Sequence, residues 1–169
     1  MEWSAEELIR LLSLSPLRGE GGFFRETHRS DLALPSGALP SGYRGPRPAV
    51  TAIYYLLGPG THSAMHRLRG DEIFHFYLGD PVEMLQLSPD GTGRLITIGT
   101  AIERGAQPQV VVPAGVWQGS RLAAGGRFAL MGTTVAPGFD FSDFELGERE
   151  ALVRGYPAHA EMITALTAG

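Results

Sequence analysis

Apolar residues in this chain fall mostly in short runs, often with apolar and polar positions alternating. Gly, Pro, Asp and Ser separate the runs. Segments 50–57, 72–78, 82–87, 94–98, 109–112 and 127–135 are rich in β-branched or aromatic residues, and each predicts a strand. Residues 23–28, which follow Gly21-Gly22, predict another. Pro89-Asp90-Gly91 has turn chemistry, and 121–126 reads as a second turn region. Helical spacing is confined to the two ends. Ser4-Ala5-Glu6-Glu7 has the form of a capping box ahead of Leu8, Ile9, Leu11 and Leu12, which predicts a helix over 4–13. Segments 146–153 and 157–166 predict short C-terminal helices. The Pro-, Gly- and Ser-rich stretch 31–48 has no period and predicts a long loop or flap beside the opening of the fold. Residues 137–144 predict an aromatic and acidic loop. Many short strands joined by tight turns indicate an all-β barrel or sandwich. One domain is expected over 1–169, with a barrel core at about 20–136 and helices at 4–13 and about 145–167.

Composition narrows this picture. Gly and Pro make up about a fifth of the chain, well above average usage, as tight turns require. With 169 residues the chain has room for one real core. The net charge is −4 and there is no basic block, so no nucleic-acid partner is expected. No apolar run approaches the roughly 20 residues that span a bilayer, so no membrane partner is expected either. The first residues are acidic where a signal peptide would be basic, and cysteine is absent, so a cytoplasmic location is expected.

The chemistry concentrates in residues 60–79, where Gly60, His66, Leu68, Glu72 and Gly79 stand out, and in Pro113-Ala-Gly115-Val-Trp117-Gln118. Positions two apart on a strand share a face, so 66 and 68 point into the barrel together, as do Glu72, Phe74 and Phe76 on the next strand. Gln118 arrives from a separate hairpin. These spacings resemble the two motifs of the cupin superfamily, which bring three His and one Glu onto a metal. Here Leu68 and Gln118 stand at two of the His positions. The remaining set, His66, Glu72 and Gln118, has one imidazole, one carboxylate and a weak amide. No cofactor is therefore expected, with a weak divalent metal at those three residues as the alternative. His75 should face away from the lumen, and His28, His62 and His159 read as structural or surface residues, although His62 could swing in. One of Tyr54 and Tyr55, and one of Arg25 and Glu26, should face inward. An inward Arg25 would suit an anionic substrate. Phe139, Phe141 and Phe144 suit a lid, a dimer contact or a cap on the core edge.

Six stretches in order resemble a branch of the superfamily comprising small cupin-like proteins of unknown function. They are 20–27, 51–57, His66-Arg67, 71–77 with Gly79-Asp80-Pro81, 112–118 and 134–141. The resemblance implies a double-stranded β-helix (jelly-roll) barrel with short N- and C-terminal helices, usually a homodimer. The run from Gly21 to Glu26 is similar to a segment of the dTDP-4-keto-6-deoxysugar epimerases, metal-free cupins that use a lumen His as base and a Tyr as acid. Three functional readings follow. In the first, a sugar or keto-sugar derivative undergoes metal-independent epimerase or isomerase chemistry. His66 is the base, Glu72 orients it, and Tyr54, Tyr55 or Gln118 serves the developing oxyanion; Tyr55 is the residue placed in the catalytic set. In the second, the lumen binds a small molecule without chemistry: His66, Glu72 and Gln118 hydrogen-bond it and Phe74, Phe76 and Trp117 line the walls; Gln118, Phe74, Phe76, Trp117 and Arg25 form the substrate-binding set. In the third, a weakly held metal supports oxygenase or isomerase chemistry. Against all three stands a plain polar core in which His66, Glu72 and Gln118 satisfy one another.

Overall fold

A computed structural model describes residues 3–167; the outermost two positions at each end of the domain expected over 1–169 lie outside the described residues. The helix α1 (Ala5–Leu11) opens on the expected capping box. Ser4 Oγ accepts from the Glu7 amide at 3.2 Å, and the Glu7 carboxylate accepts from the Ser4 amide at 2.9 Å. The strands that follow are β1 (Ser15–Pro16), β2 (Phe23–Arg29), β3 (Ala33–Leu34), β4 (Arg47–Pro48), β5 (Thr51–Leu57), β6 (His62–Leu68) and β7 (Asp71–Gly79). Then come β8 (Val82–Leu87), β9 (Gly93–Ile98), β10 (Gln109–Val112), β11 (Trp117–Leu122), β12 (Ala129–Ala136) and β13 (Phe144–Leu146). Two helices, α2 (Arg149–Gly155) and α3 (Ala160–Ala165), end the described chain.

From β5 to β8 the chain changes sheet at every step, and from β10 to β12 it does so again. The result is one sheet ordered β1-β2-β5-β12-β7-β10 and another ordered β13-β6-β11-β8-β9. This is the double-stranded β-helix, an all-β jelly roll. The two sheets pack face to face as a sandwich and are not hydrogen-bonded into a closed barrel.

Strand alternation sorts the apolar residues into three layers. Tyr55, Leu57, Phe74, Met84 and Met131 fill the space between the sheets. Their neighbours on β5 and β12, Leu56 and Leu130, point outward and pack under Ala5, Leu8 and Leu14. On the other sheet Met65, Leu85 and Leu87 point outward and are covered by Leu152, Met162, Ile163 and Leu166. Short helices therefore lie on both outer surfaces, because each sheet has apolar residues on both faces.

Two segments differ from expectation. The C-terminal helical region was expected from 146, but residues 144–146 form an edge strand on β6, pairing Phe144 with Leu68 and Leu146 with His66. An available sheet edge satisfies these backbone groups, and helix starts only at Arg149. The 31–48 loop is shaped by the small β3–β4 pair and by Arg47, which is only 3% exposed. Its Nε donates to Asp143 Oδ2 at 2.6 Å and its Nη2 to Asp143 Oδ1 at 2.9 Å, while Nη1 reaches the carbonyls of Arg44 and Pro46. The loop is thus tied to the 137–144 segment. Removing one partner of a buried ion pair strands the other charge. Arg47→Ala is expected to lose about 3 kcal/mol of unfolding free energy, measured by urea denaturation; a loss under about 1 kcal/mol, the size of an exposed pair, would show that this contact does not anchor the two loops.

Candidate functional site

One end of the sandwich is not filled. A cavity of about 180 Å³ lies there between β5, β7 and β12 on one side and β6 on the other, with residues 17–29 and 137–144 around its mouth. Its volume is close to that of a cavity that holds benzene. The walls are Leu17, Phe24, Ile53, Leu68, Phe74 and Val135, and the 137–144 segment adds Phe139, Phe141 and Phe144. Against this apolar lining sit Glu20, Tyr55, His66, Glu72 and Thr133.

His66 comes from β6, on the face opposite Met65, and is 2% exposed. Its Nδ1 lies 2.7 Å from the Ala64 carbonyl oxygen. A carbonyl only accepts, so Nδ1 carries the hydrogen; in the neutral form of the ring the lone pair is then on Nε2. Nε2 stands 4.0 Å from Oε2 of Glu20, beyond hydrogen-bond reach. The Phe144 ring stacks on the imidazole with centroids 5.1 Å apart. Glu20 is held by Ser63, whose hydroxyl donates to Oε1 at 2.8 Å. Glu72 accepts a 2.5 Å hydrogen bond from the Gln118 amide and another from Thr133. Burial pushes the Glu72 carboxyl above its ordinary range, and the nearby Glu20 charge adds to this. The His66 ring and the Thr133 and Gln118 hydrogen bonds oppose it. Tyr55 is pushed well up by burial first and the Glu20 charge second, and its hydroxyl donates to the Gly21 carbonyl at 2.9 Å.

The Gly21-Gly22 pair makes this approach possible. Gly22 has φ +72°, and a Cβ there would come within 2.8 Å of the Tyr55 oxygen and 2.9 Å of the Leu56 carbonyl. The left-handed turn carries Glu20 over the end of the sandwich. The Ala64 amide donates to the Glu20 carbonyl at 2.8 Å, which fixes Glu20 beside β6.

Of the residues expected at the site, His66, Glu72, Tyr55 and Phe74 line the cavity. Gln118 does not; it stands behind Glu72 and holds it. Phe76 packs in the core between the sheets, deeper than the cavity. Trp117 points to the opposite side of β11, against the helix-covered layer, with the Arg67 guanidinium 4.4 Å above its ring. Arg25 lies outside, over the Tyr54 ring at 5.5 Å. Glu26 is the member of that pair at the mouth, bound to Arg29 at 3.0 and 2.8 Å. A bulge between Glu26 and His28 puts Glu26 and Arg29 on one face although they are three apart. The opening is flanked by 17–29 and 137–144, and the 31–48 loop does not line it. His75 faces outward, 3.2 Å from the Thr134 hydroxyl, and His28, His62 and His159 lie away from the cavity. Sequence reasoning missed Glu20 as a site residue. Its signal was its place immediately before two glycines.

The residues do not fit the metal that the motif spacing implies. Leu68 has no donor atom, and Gln118 gives its amide protons to Glu72. One imidazole faces the cavity. Among the described residues no group of three or more His, Cys, Asp or Glu side chains is arranged to hold a metal ion. No helix among them is long and apolar enough to cross a membrane.

The family model described as "Cupin superfamily (DUF985)" matches residues 6–147. A structural-genomics target from Shewanella oneidensis is 36% identical with a TM-score of 0.86, covering 99% of each chain. A hypothetical protein from Leishmania major is 32% identical with a TM-score of 0.88, covering 99% of this chain and 100% of its own. Oxalate decarboxylase from Bacillus subtilis is 13% identical with a TM-score of 0.53, over 92% of this chain and 37% of its own, a likeness of fold alone. No curated protein matches.

The raised Glu72 carboxyl has a consequence for stability. A carboxyl whose folded-state pKa lies above its unfolded value contributes stability that is present below the unfolded value, near 4.3, and lost as pH rises through the folded one. Glu72→Gln removes that loss. The melting temperature of the variant minus that of the wild type is therefore expected to grow between about pH 4 and pH 7, in thermal melts followed by circular dichroism. A constant or shrinking difference would refute the assigned direction.

Proposed function

Because the chain belongs to the cupin superfamily, in the family catalogued as DUF985, and because an imidazole lone pair faces its cavity, we propose that it binds a small polar metabolite there, with His66 as a metal-independent proton acceptor. The single observation that carries this is the tautomer of His66. Donation of Nδ1–H to the Ala64 carbonyl leaves the lone pair of the neutral ring on Nε2, and His66 lines the cavity.

On a sugar or keto-sugar derivative the step is proton removal beside a carbonyl. The C–H bond breaks, Nε2 gains the proton, and the electron pair moves to the carbonyl oxygen. The Glu72 carboxyl, raised by burial, suits the donor to that oxygen better than Tyr55, whose proton is committed to the Gly21 carbonyl. The cavity of about 180 Å³ takes the reacting unit of such a molecule, so a nucleotide attached to it would lie outside the mouth.

One observation favours a second reading, binding without chemistry. The hydroxyl and amide donors around the floor are committed to protein acceptors, as Ser63 is to Glu20 and Gln118 to Glu72. An oxyanion hole needs free donors. A cytoplasmic homodimer completes the proposal. The dimer is inferred from the resemblance, with the exposed Tyr77 and Val111 on the outer face of the six-stranded sheet as its contact. Sedimentation of Tyr77→Glu is expected to show monomers where the wild type shows dimers; a monomeric wild type at micromolar concentration would refute this.

The chemical step is tested in deuterium oxide with metal-stripped protein and small hydroxy ketones and aldoses. Proton NMR is expected to show exchange of the hydrogen beside the carbonyl, reduced at least about 100-fold in His66→Gln, the scale of general-base catalysis. Binding without exchange would establish the second reading, and equal exchange by wild type and variant would remove His66 as the base.

A further inference from the structure

The donors around Glu20 and His66 are committed to protein acceptors, so what that pair presents to a ligand is acceptors. Ser63 gives its proton to Glu20, Gln118 gives its own to Glu72, and Tyr55 gives its own to the Gly21 carbonyl. His66 Nδ1–H goes to the Ala64 carbonyl, which leaves a lone pair on Nε2. The nearest charged neighbour of that nitrogen is Oε2 of Glu20 at 4.0 Å, beyond hydrogen-bond reach. Two acceptors at that separation leave room for one donor atom about 2.8 Å from each.

From this we propose that the head group seated between Glu20 and His66 is a primary ammonium, and that the ligands of this cavity are small organic amines. The inference deepens the reading above by naming the ligand class, and it rests on this cavity being the ligand site. A hydroxyl could bridge the same gap with its one proton. An ammonium brings three N–H groups and a positive charge to set against the Glu20 carboxylate. A carboxylate or phosphate head at this point would instead meet the Glu20 carboxylate. The walls agree: the faces of Phe24, Phe74 and Phe144 are a favourable surround for an organic cation. Of the basic side chains that line the cavity, Arg29 is bound to Glu26 and to the Phe139 carbonyl.

Benzylamine, benzyl alcohol and benzoate are three probes of one shape and suit a cavity of benzene size. Isothermal titration at neutral pH is expected to show benzylamine binding at least about tenfold more tightly than benzyl alcohol, the worth of one charge-assisted hydrogen bond, with no binding of benzoate. Glu20→Gln should remove about that tenfold from benzylamine and leave benzyl alcohol nearly unchanged, while Glu83→Gln, on the outer surface beside Arg121, should change neither. Benzyl alcohol binding as well as benzylamine would overturn the proposal, as would benzylamine binding that Glu20→Gln leaves intact. The wild-type comparison decides even if that variant does not fold. Deuterium exchange on hydroxy ketones with no preference for the amine would sink this inference and leave the reading above standing. Amine binding without any such exchange would do the reverse.

Discussion

Strand alternation constrains everything else in this molecule. Both sheets carry apolar residues on both faces, so a shift of one residue in any central strand would exchange two buried layers. On β6 the same parity that sends Met65 under the C-terminal helices sends His66 into the sandwich. On β5 the parity that sends Leu56 under α1 sends Tyr55 inward. The polar residues at the open end are therefore positioned by the packing of their apolar neighbours. Their own interactions then refine a placement that is already determined.

Burying two carboxylates and an imidazole in an apolar enclosure is costly unless each is hydrogen-bonded. The fold meets this by backing every polar group of the floor with a partner outside the cavity. Ser63 backs Glu20, Gln118 backs Glu72, and Ala64 backs His66. The backing groups hold the rotamers, and the cavity side of each group stays free for a ligand. Gln118 and Glu72 satisfy one another as a plain polar core would, while Nε2 of His66 stands 4.0 Å from Glu20.

Much of the fold was legible in the sequence because short apolar runs and Gly-rich turns are local signals. Strands β5, β7, β8 and β12 lie where their β-branched and aromatic runs predicted, and the capping box at Ser4 formed with both bonds, whereas β11 continues to Leu122, into the stretch read as a turn region. His66, Glu72, Tyr55 and Phe74 were readable for the same reason: they sit on long strands, where period two decides the face. The errors have physical causes. Trp117 and Gln118 are adjacent, so only one could point inward, and an aromatic lining cannot be told from an aromatic core by type alone. Arg25 and Glu26 alternate regularly, and Glu26 shares the inward face with Phe24, a choice that the aromatic pair Phe23-Phe24 leaves open in the sequence. Glu20 lies in a turn, where no period applies and only the two following glycines mark the position. Strand β13 was read as part of a helix because pairing with a distant edge has no local signal.

The two departures from the metal-binding spacing make sense together. A carboxylate such as Glu72 would be neutralised by a metal; without one, it needs a donor. Gln118 supplies that donor from the position where an imidazole would have been a ligand. Leu68, at the other altered position, has nothing to offer either a metal or Glu72, and it becomes part of the apolar wall. A single change would have left an unpaired carboxylate or a stranded imidazole in a buried site. With both changes, Glu72 has a hydrogen-bond donor in place of a metal, and His66 is the one imidazole of the motif that remains at the cavity.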